Sequence, residues 1–162
     1  MRGVKLDDRD LKILAILQRD GRISKTALAD RVHLSPTPCW ERLRRLEESG
    51  VIQGYEAQVS VTAFGPVTTV FVQAELEAHR AEDFERFETG IEAIPEIVEA
   101  WAIGGGMDYI LKVVTRDVET YQALIERILE AEIGVKRYYT YLVTKPVKRA
   151  PCPPLDVLAN GE

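Results

Sequence analysis

Apolar positions in the first third of the chain recur at helical spacing, and each recurrence opens with the same device. An apolar residue precedes a capping residue, and a second apolar residue follows five positions after the first: Leu6-Asp7 leads to Leu11, Ile23-Ser24 to Leu28, and Leu34-Ser35 to Cys39. This is a hydrophobic staple around an N-cap, in which the side-chain oxygen of Asp7, Ser24 or Ser35 accepts from an orphan N–H of the first turn. Helices are predicted over 8–19, 25–32 and 35–50, with Leu11, Leu14 and Leu17, and Ile13 beside them, inward on the first and Leu28, Ala29 and Val32 on the second. The bridge His33-Leu34 is so short that the third helix must leave steeply, as in a helix-turn-helix. After Gly50, Val51-Ile52 and a turn at Gln53-Gly54 lead to the strand-like YEAQVSV, which would form a wing.

From Val67 the period changes from helical to twofold. VTTVFVQAELEA alternates, with Val70, Val72, Ala74 and Leu76 on one face, as a strand with one buried side does. A helix over 81–94 follows, then strands over 97–103 and 109–115 around a glycine-rich link, a helix capped by Asp117, and a last strand over 137–143. The order β-α-β-β-α-β is that of a ferredoxin-like split sandwich. Its helices can cover only one face of the sheet, so the other requires a second subunit, with Phe71, Trp101 and Tyr141 as candidate contacts. The expected organisation is a winged helix-turn-helix at 1–59, a linker at 60–66, the second domain at 67–149, and an irregular Pro-rich tail at 150–162.

Charge sharpens this division. The chain carries a net −5, yet residues 1–60 hold 11 Lys+Arg against 9 Asp+Glu, while the remainder holds 10 against 17. A net +2 beside a net −7 suggests two domains with different partners. No apolar run approaches the length of a membrane span, and the opening MRGVKLDD lacks a signal peptide's apolar stretch, so a cytoplasmic protein without membrane association is expected. Cys39 and Cys152 have no framework spacing, and with His33 and His79 they form no zinc-ligand pattern. No paired carboxylates, triad or metal cluster emerges, so neither an enzyme, a metal site nor a cofactor is expected.

Two segments could carry binding chemistry. In SPTPCWERLRRLEESG, Cys39, Leu43 and Leu46 face the core, Thr37, Pro38, Glu41, Arg42 and Arg45 fall on the other side, and Arg44 lies on a flank. A helix with a stiff N-terminus and three arginines can enter the major groove of double-stranded DNA, where arginines reach phosphates or guanine edges. The same face could equally be a solvated helix surface. The run Gly104-Gly105-Gly106-Met107-Asp108 lies between strands and is neither a P-loop nor a dinucleotide fingerprint. It is either a plain hairpin connection or a zwitterion site, with Gly105 and Gly106 offering N–H groups to a carboxylate and Asp108 holding an ammonium.

SPTPCWERLRRLEESGVI resembles the recognition helix and following turn of the leucine-responsive regulator/AsnC (Lrp/AsnC) family of transcription regulators. LDDRDLKILAILQRDGRIS resembles that family's first helix, GGMDYILKVV its glycine–aspartate–tyrosine segment, and GVKRYYTYLV its last strand. The resemblance implies an α+β chain, with a winged helix-turn-helix followed by a ferredoxin-like (ACT-like) domain for ligand sensing and oligomerisation. It also implies dimers through the C-terminal sheet, assembly to tetramers or octamers, and an amino acid or related effector bound between dimers. By position it implies DNA contacts from Ser35, Pro36, Thr37, Arg42, Arg44 and Arg45, to which the helix reading adds Pro38. For the effector it implies Ala102, Gly105, Met107, Asp108 and Tyr141, to which the loop reading adds Gly106. Gly104 and Gly106 stand where the family commonly has bulkier residues. The competing expectation is a small-molecule sensor or metabolic subunit that does not bind DNA.

Overall fold

The computed structural model describes residues 5–148 together with Cys152, Pro154, Leu155 and Leu158. The chain divides at Gln58/Val59 into two compact units, and Lys148, Cys152, Pro154, Leu155 and Leu158 group with the N-terminal one.

The N-terminal unit holds α1 (Asp8–Leu17), α2 (Lys25–Arg31) and α3 (Pro36–Glu48). Ile13, Leu14, Leu28, Ala29, Val32, Cys39, Leu43 and Leu46 form its core, and the staple residues Leu6, Ile23 and Leu34 pack against it. Ile13, not Leu11, is the fully buried anchor of α1. Asp7 caps α1 by accepting the N–H groups of Arg9 and Asp10, and Asp10 accepts that of Asp7 in return. Ser24 caps α2 through the Ala27 N–H. At the end of α2, His33 takes a left-handed φ of 54°, a place usually given to glycine. The N–H of His33 reaches the Asp30 carbonyl and that of Leu34 the Ala29 carbonyl, the paired bonds of a Schellman stop. Arg9 then donates to the carbonyls of Val32 and His33, which ties α1 to the turn before α3.

The strand expected over 55–61 is not formed. Val51 and Ile52, its would-be partner, pack into the core instead, so the segment has no ladder to join. Tyr55 folds back to donate to Glu47 and lies against Gly21, where a Cβ would come within 3.3 Å of its ring. Most of the Pro-rich tail lies outside the described residues, but Leu155 packs on the N-terminal core and the Cys152 thiol donates to the Gln18 carbonyl at 3.5 Å. Both cysteines are free thiols.

The C-terminal unit contains β1 (Thr68–Leu76), α4 (Ala81–Glu92), β2 (Ile97–Ala102), β3 (Tyr109–Thr115), α5 (Val118–Glu130) and β4 (Val135–Leu142). A short 3-10 turn, Val61–Phe64, precedes β1. The sheet order is β2-β3-β1-β4 with every pair antiparallel, so the split sandwich is present. Val70, Val72, Ala74 and Leu76 of β1 and Leu111 and Val113 of β3 meet Phe87 and Ile91 of α4 and Leu124, Ile125 and Ile128 of α5. Asp117 caps α5 by accepting the Thr120 N–H at 2.7 Å. Gly90 brings α4 so close to Ile133 that a Cβ would sit 2.6 Å from the isoleucine side chain.

Within the C-terminal unit, no element among the described residues covers the other sheet face. Phe71 stands between Tyr141 and Lys112, Gln73 between Tyr139 and Ile110, and Trp101 opposite Ile110. Trp101, Tyr139 and Tyr141 remain 44%, 47% and 50% exposed.

Candidate nucleic-acid interface and effector loop

Successive residues of a helix are rotated by roughly 100°. With Cys39, Leu43 and Leu46 buried, the outward line of α3 therefore passes through Thr37, Glu41, Arg44 and Glu48. Ser35, Pro36, Thr37 and Pro38 are all exposed at its start. Ser35 makes no cap bond, unlike Asp7 and Ser24. The reason is local: Pro38 occupies the third helical position and has no N–H to donate. Arg44 points outward and pairs with Glu48 at 2.6 Å.

Arg42 and Arg45, read from the sequence as lying opposite the core, turn toward α1. Arg42 Nη1 donates to Asp7 at 2.6 Å and to Asp10 at 2.9 Å, and Arg45 also pairs with Asp10. The Asp10 side chain is 1% exposed, whereas those of Arg42 and Arg45 are 30% and 48% exposed. The arginines thus neutralise a buried carboxylate and keep their outer N–H groups in water. The Asp10 N–H and the Arg42 guanidinium hold the Asp7 carboxyl below the ordinary carboxylate range. On the opposite flank of α3, Trp40 is 44% exposed and carries the Lys25 ammonium 4.7 Å from its ring centroid.

In the C-terminal unit the glycine run forms the β2–β3 connection. The Ile103 N–H donates to the Asp108 carbonyl at 2.8 Å, and the Asp108 N–H to the Ala74 carbonyl at 3.0 Å. Gly105 has a φ of 140°, which requires glycine, and open space surrounds all three glycines. The Asp108 carboxylate is already engaged: it accepts the Leu76 N–H at 2.8 Å, and both its oxygens lie 3.1 Å from His79 Nε2. The pairing of Ala74 with Tyr109 brings His79 to Asp108, since it sets the end of β1 beside the start of β3. Tyr109 donates to Glu88 at 2.7 Å, and burial together with that carboxylate raises its phenol well above the ordinary value.

Ala102 and Tyr109 line a groove of about 570 Å³ between α4 and β2, with Glu88, Ile91 and Ala100. Met107 is half-buried in the loop. Tyr141 is not gathered into this region. It lies on β4, at the far edge of the sheet from β2 and on its open face, where it donates to Gln73 at 3.3 Å. Three strand spacings, about 14 Å, separate the two edges. Among the described residues no group of His, Cys, Asp and Glu could hold a metal ion, and no helix is long and apolar enough to cross a membrane.

Two family models match the chain. Residues 6–53 match a winged helix-turn-helix DNA-binding domain, and residues 69–152 match the Lrp/AsnC ligand binding domain. The first match stops just before the segment that forms no strand. The transcriptional regulatory protein DoeX of Halomonas elongata is 52% identical over 146 residues, which are 90% of this chain and 92% of that protein. The leucine-responsive regulatory protein of Escherichia coli is 41% identical over 148 residues, 91% of this chain and 90% of that protein. A transcriptional regulator from Neisseria meningitidis solved as a complex with L-Met has a TM-score of 0.88 at 30% identity, covering 95% of this chain and 99% of its own.

Proposed function

The chain belongs to the Lrp/AsnC family of transcription regulators, and from that membership we propose that it reads DNA with the N-terminal half of α3 and adjusts its binding to an amino acid or a closely related molecule. It is a regulator and not an enzyme. The observation that carries the DNA reading is the exposed start of α3. Ser35, Pro36, Thr37 and Pro38 present a rigid turn with an uncommitted serine hydroxyl, and Arg44 follows on the same outward line. Arg42 and Arg45 brace the helix and have outer N–H groups left for backbone phosphates. The protein acts in the cytoplasm on double-stranded DNA.

Arg44→Ala is expected to weaken binding to the DNA upstream of the protein's own gene about tenfold, the size of one lost bidentate base contact. Fluorescence anisotropy at fixed salt measures it. Equal affinity of wild type and variant would remove Arg44 from the interface, and no binding by the wild type would remove the DNA reading altogether.

For the effector, the loop offers Gly105 and Gly106 N–H groups to a carboxylate and Asp108 to an ammonium, with Ala102 and Met107 alongside. Tyr141 reaches such a site only from another copy of the chain, and the L-Met complex of the Neisseria relative supports an amino acid as ligand. The bare sheet face supports a homodimer, with further assembly to tetramers or octamers bringing loop and tyrosine together. In a thermal-shift panel of amino acids and derivatives, the active compound at ~100-fold over its Kd is expected to stabilise the wild type by about 2.7 kcal/mol. Asp108→Asn should lose most of that increment. A purely structural aspartate would instead lower the melting temperature equally with and without ligand.

A further inference from the structure

Lys25 and Trp40 meet although they sit on different helices. Lys25 opens α2, Trp40 lies in the second turn of α3, and the ammonium rests 4.7 Å from the centre of the indole. Both side chains are exposed, so the contact does not fill a core. The arginines of α3 each share their charge with a carboxylate: Arg42 and Arg45 with the aspartates of α1, and Arg44 with Glu48. Among the described residues no carboxylate pairs with Lys25. It is therefore a cation held in place by an aromatic face, which leaves its full charge available.

A helix-turn-helix lays its second helix in the major groove while the preceding helix crosses the phosphate backbone. Trp40 lies on the α2 flank of the groove-facing line, so a cation seated on it stands at the rim of the groove where phosphates run. We propose that Lys25 and Trp40 form one phosphate-binding unit, in which the indole holds the ammonium against the DNA backbone. The ring offers the face of a quadrupole and removes no charge, so it orients the lysine without competing with the phosphate as a carboxylate would. The ligand is duplex DNA of any sequence, because a phosphate contact carries no base information. This inference rests on the DNA reading above.

Binding to a short mixed-sequence duplex and to the upstream DNA, titrated across a range of salt concentrations, tests it. Lys25→Ala should weaken both duplexes by the same factor and lower the slope of log K against log salt by about 0.9 for each recognition helix engaged. Trp40→Ala should reproduce that loss on both duplexes, Trp40→Phe should restore most of it, and the double variant should bind no more weakly than either single variant. An unchanged salt slope in Lys25→Ala would overturn the proposal while wild-type binding still upheld the DNA reading. Additive losses, or a Trp40→Ala defect confined to the upstream DNA, would equally overturn it, since the ring would then act apart from the lysine.

Discussion

The double variant Arg42→Ala/Arg45→Ala is expected to lose about 3–5 kcal/mol of stability in the N-terminal unit, before any effect on DNA is considered. The cause is Asp10. Its carboxylate is 1% exposed and is met by two guanidiniums. Removing both leaves a buried carboxyl group whose remaining donor, among the described residues, is the Asp7 N–H. Asp10→Ala should cost less, since the freed arginines are 30% and 48% exposed and can hydrate. Adding Asp10→Ala to the double variant should therefore recover stability, which no account based on DNA contacts predicts. Urea titration in a Trp101→Phe background isolates the N-terminal unit, because Trp40 is then the only indole. If the double variant melts with the wild type, the clamp is not what fixes α3. The two arginines are thus poor probes of DNA contact on their own, and Arg44 is the cleaner one.

The second large effect is expected at Phe71→Arg. Phe71 is half-buried on the bare face of the sheet, between Tyr141 of β4 and Lys112 of β3. An arginine there adds a charge to the middle of an apolar patch and sets it beside a lysine. A dimer held through this face should dissociate, since an unpaired buried charge outweighs the apolar area left around it. Sedimentation velocity should show the monomer at concentrations where the wild type is assembled. Two recognition helices that engage one duplex together owe their joint affinity to being linked, so DNA binding should fall by about 100-fold or more. An intact assembly in this variant would place the interface elsewhere on the molecule.

What could be read in the sequence, and what could not, follows from the range of the forces involved. The caps at Asp7, Ser24 and Asp117 are decided within three residues, and all three form. The alternation of Val70, Val72, Ala74 and Leu76 reports a buried face directly, and the order of elements then fixes the split sandwich. The failures are matters of partnership. YEAQVSV alternates like a strand, but a strand exists only where another backbone is free to pair, and Val51-Ile52 were drawn into the core. Ser35 resembles Ser24 as a cap, yet a proline three positions on removes the donor. Arg42 and Arg45 lie off the buried stripe in any helical projection, and nothing in the projection says that a neighbouring helix presents an aspartate to them. His79 and Asp108 are 29 positions apart and meet only through strand register.

The position of Tyr141, on the edge strand farthest from β2, has a consequence for how sensitively the regulator would respond if the proposed effector site is shared between copies. A site that draws its walls from two copies exists only in the assembled protein, so each molecule of effector bound there stabilises assembly, and assembly in turn tightens the effector by the same factor. With such a shared site, the concentration of effector needed for half-response would depend on how much of the protein the cell holds. A cell that makes more regulator would react to a scarcer signal, and gene dosage would set the threshold without any change in the binding residues.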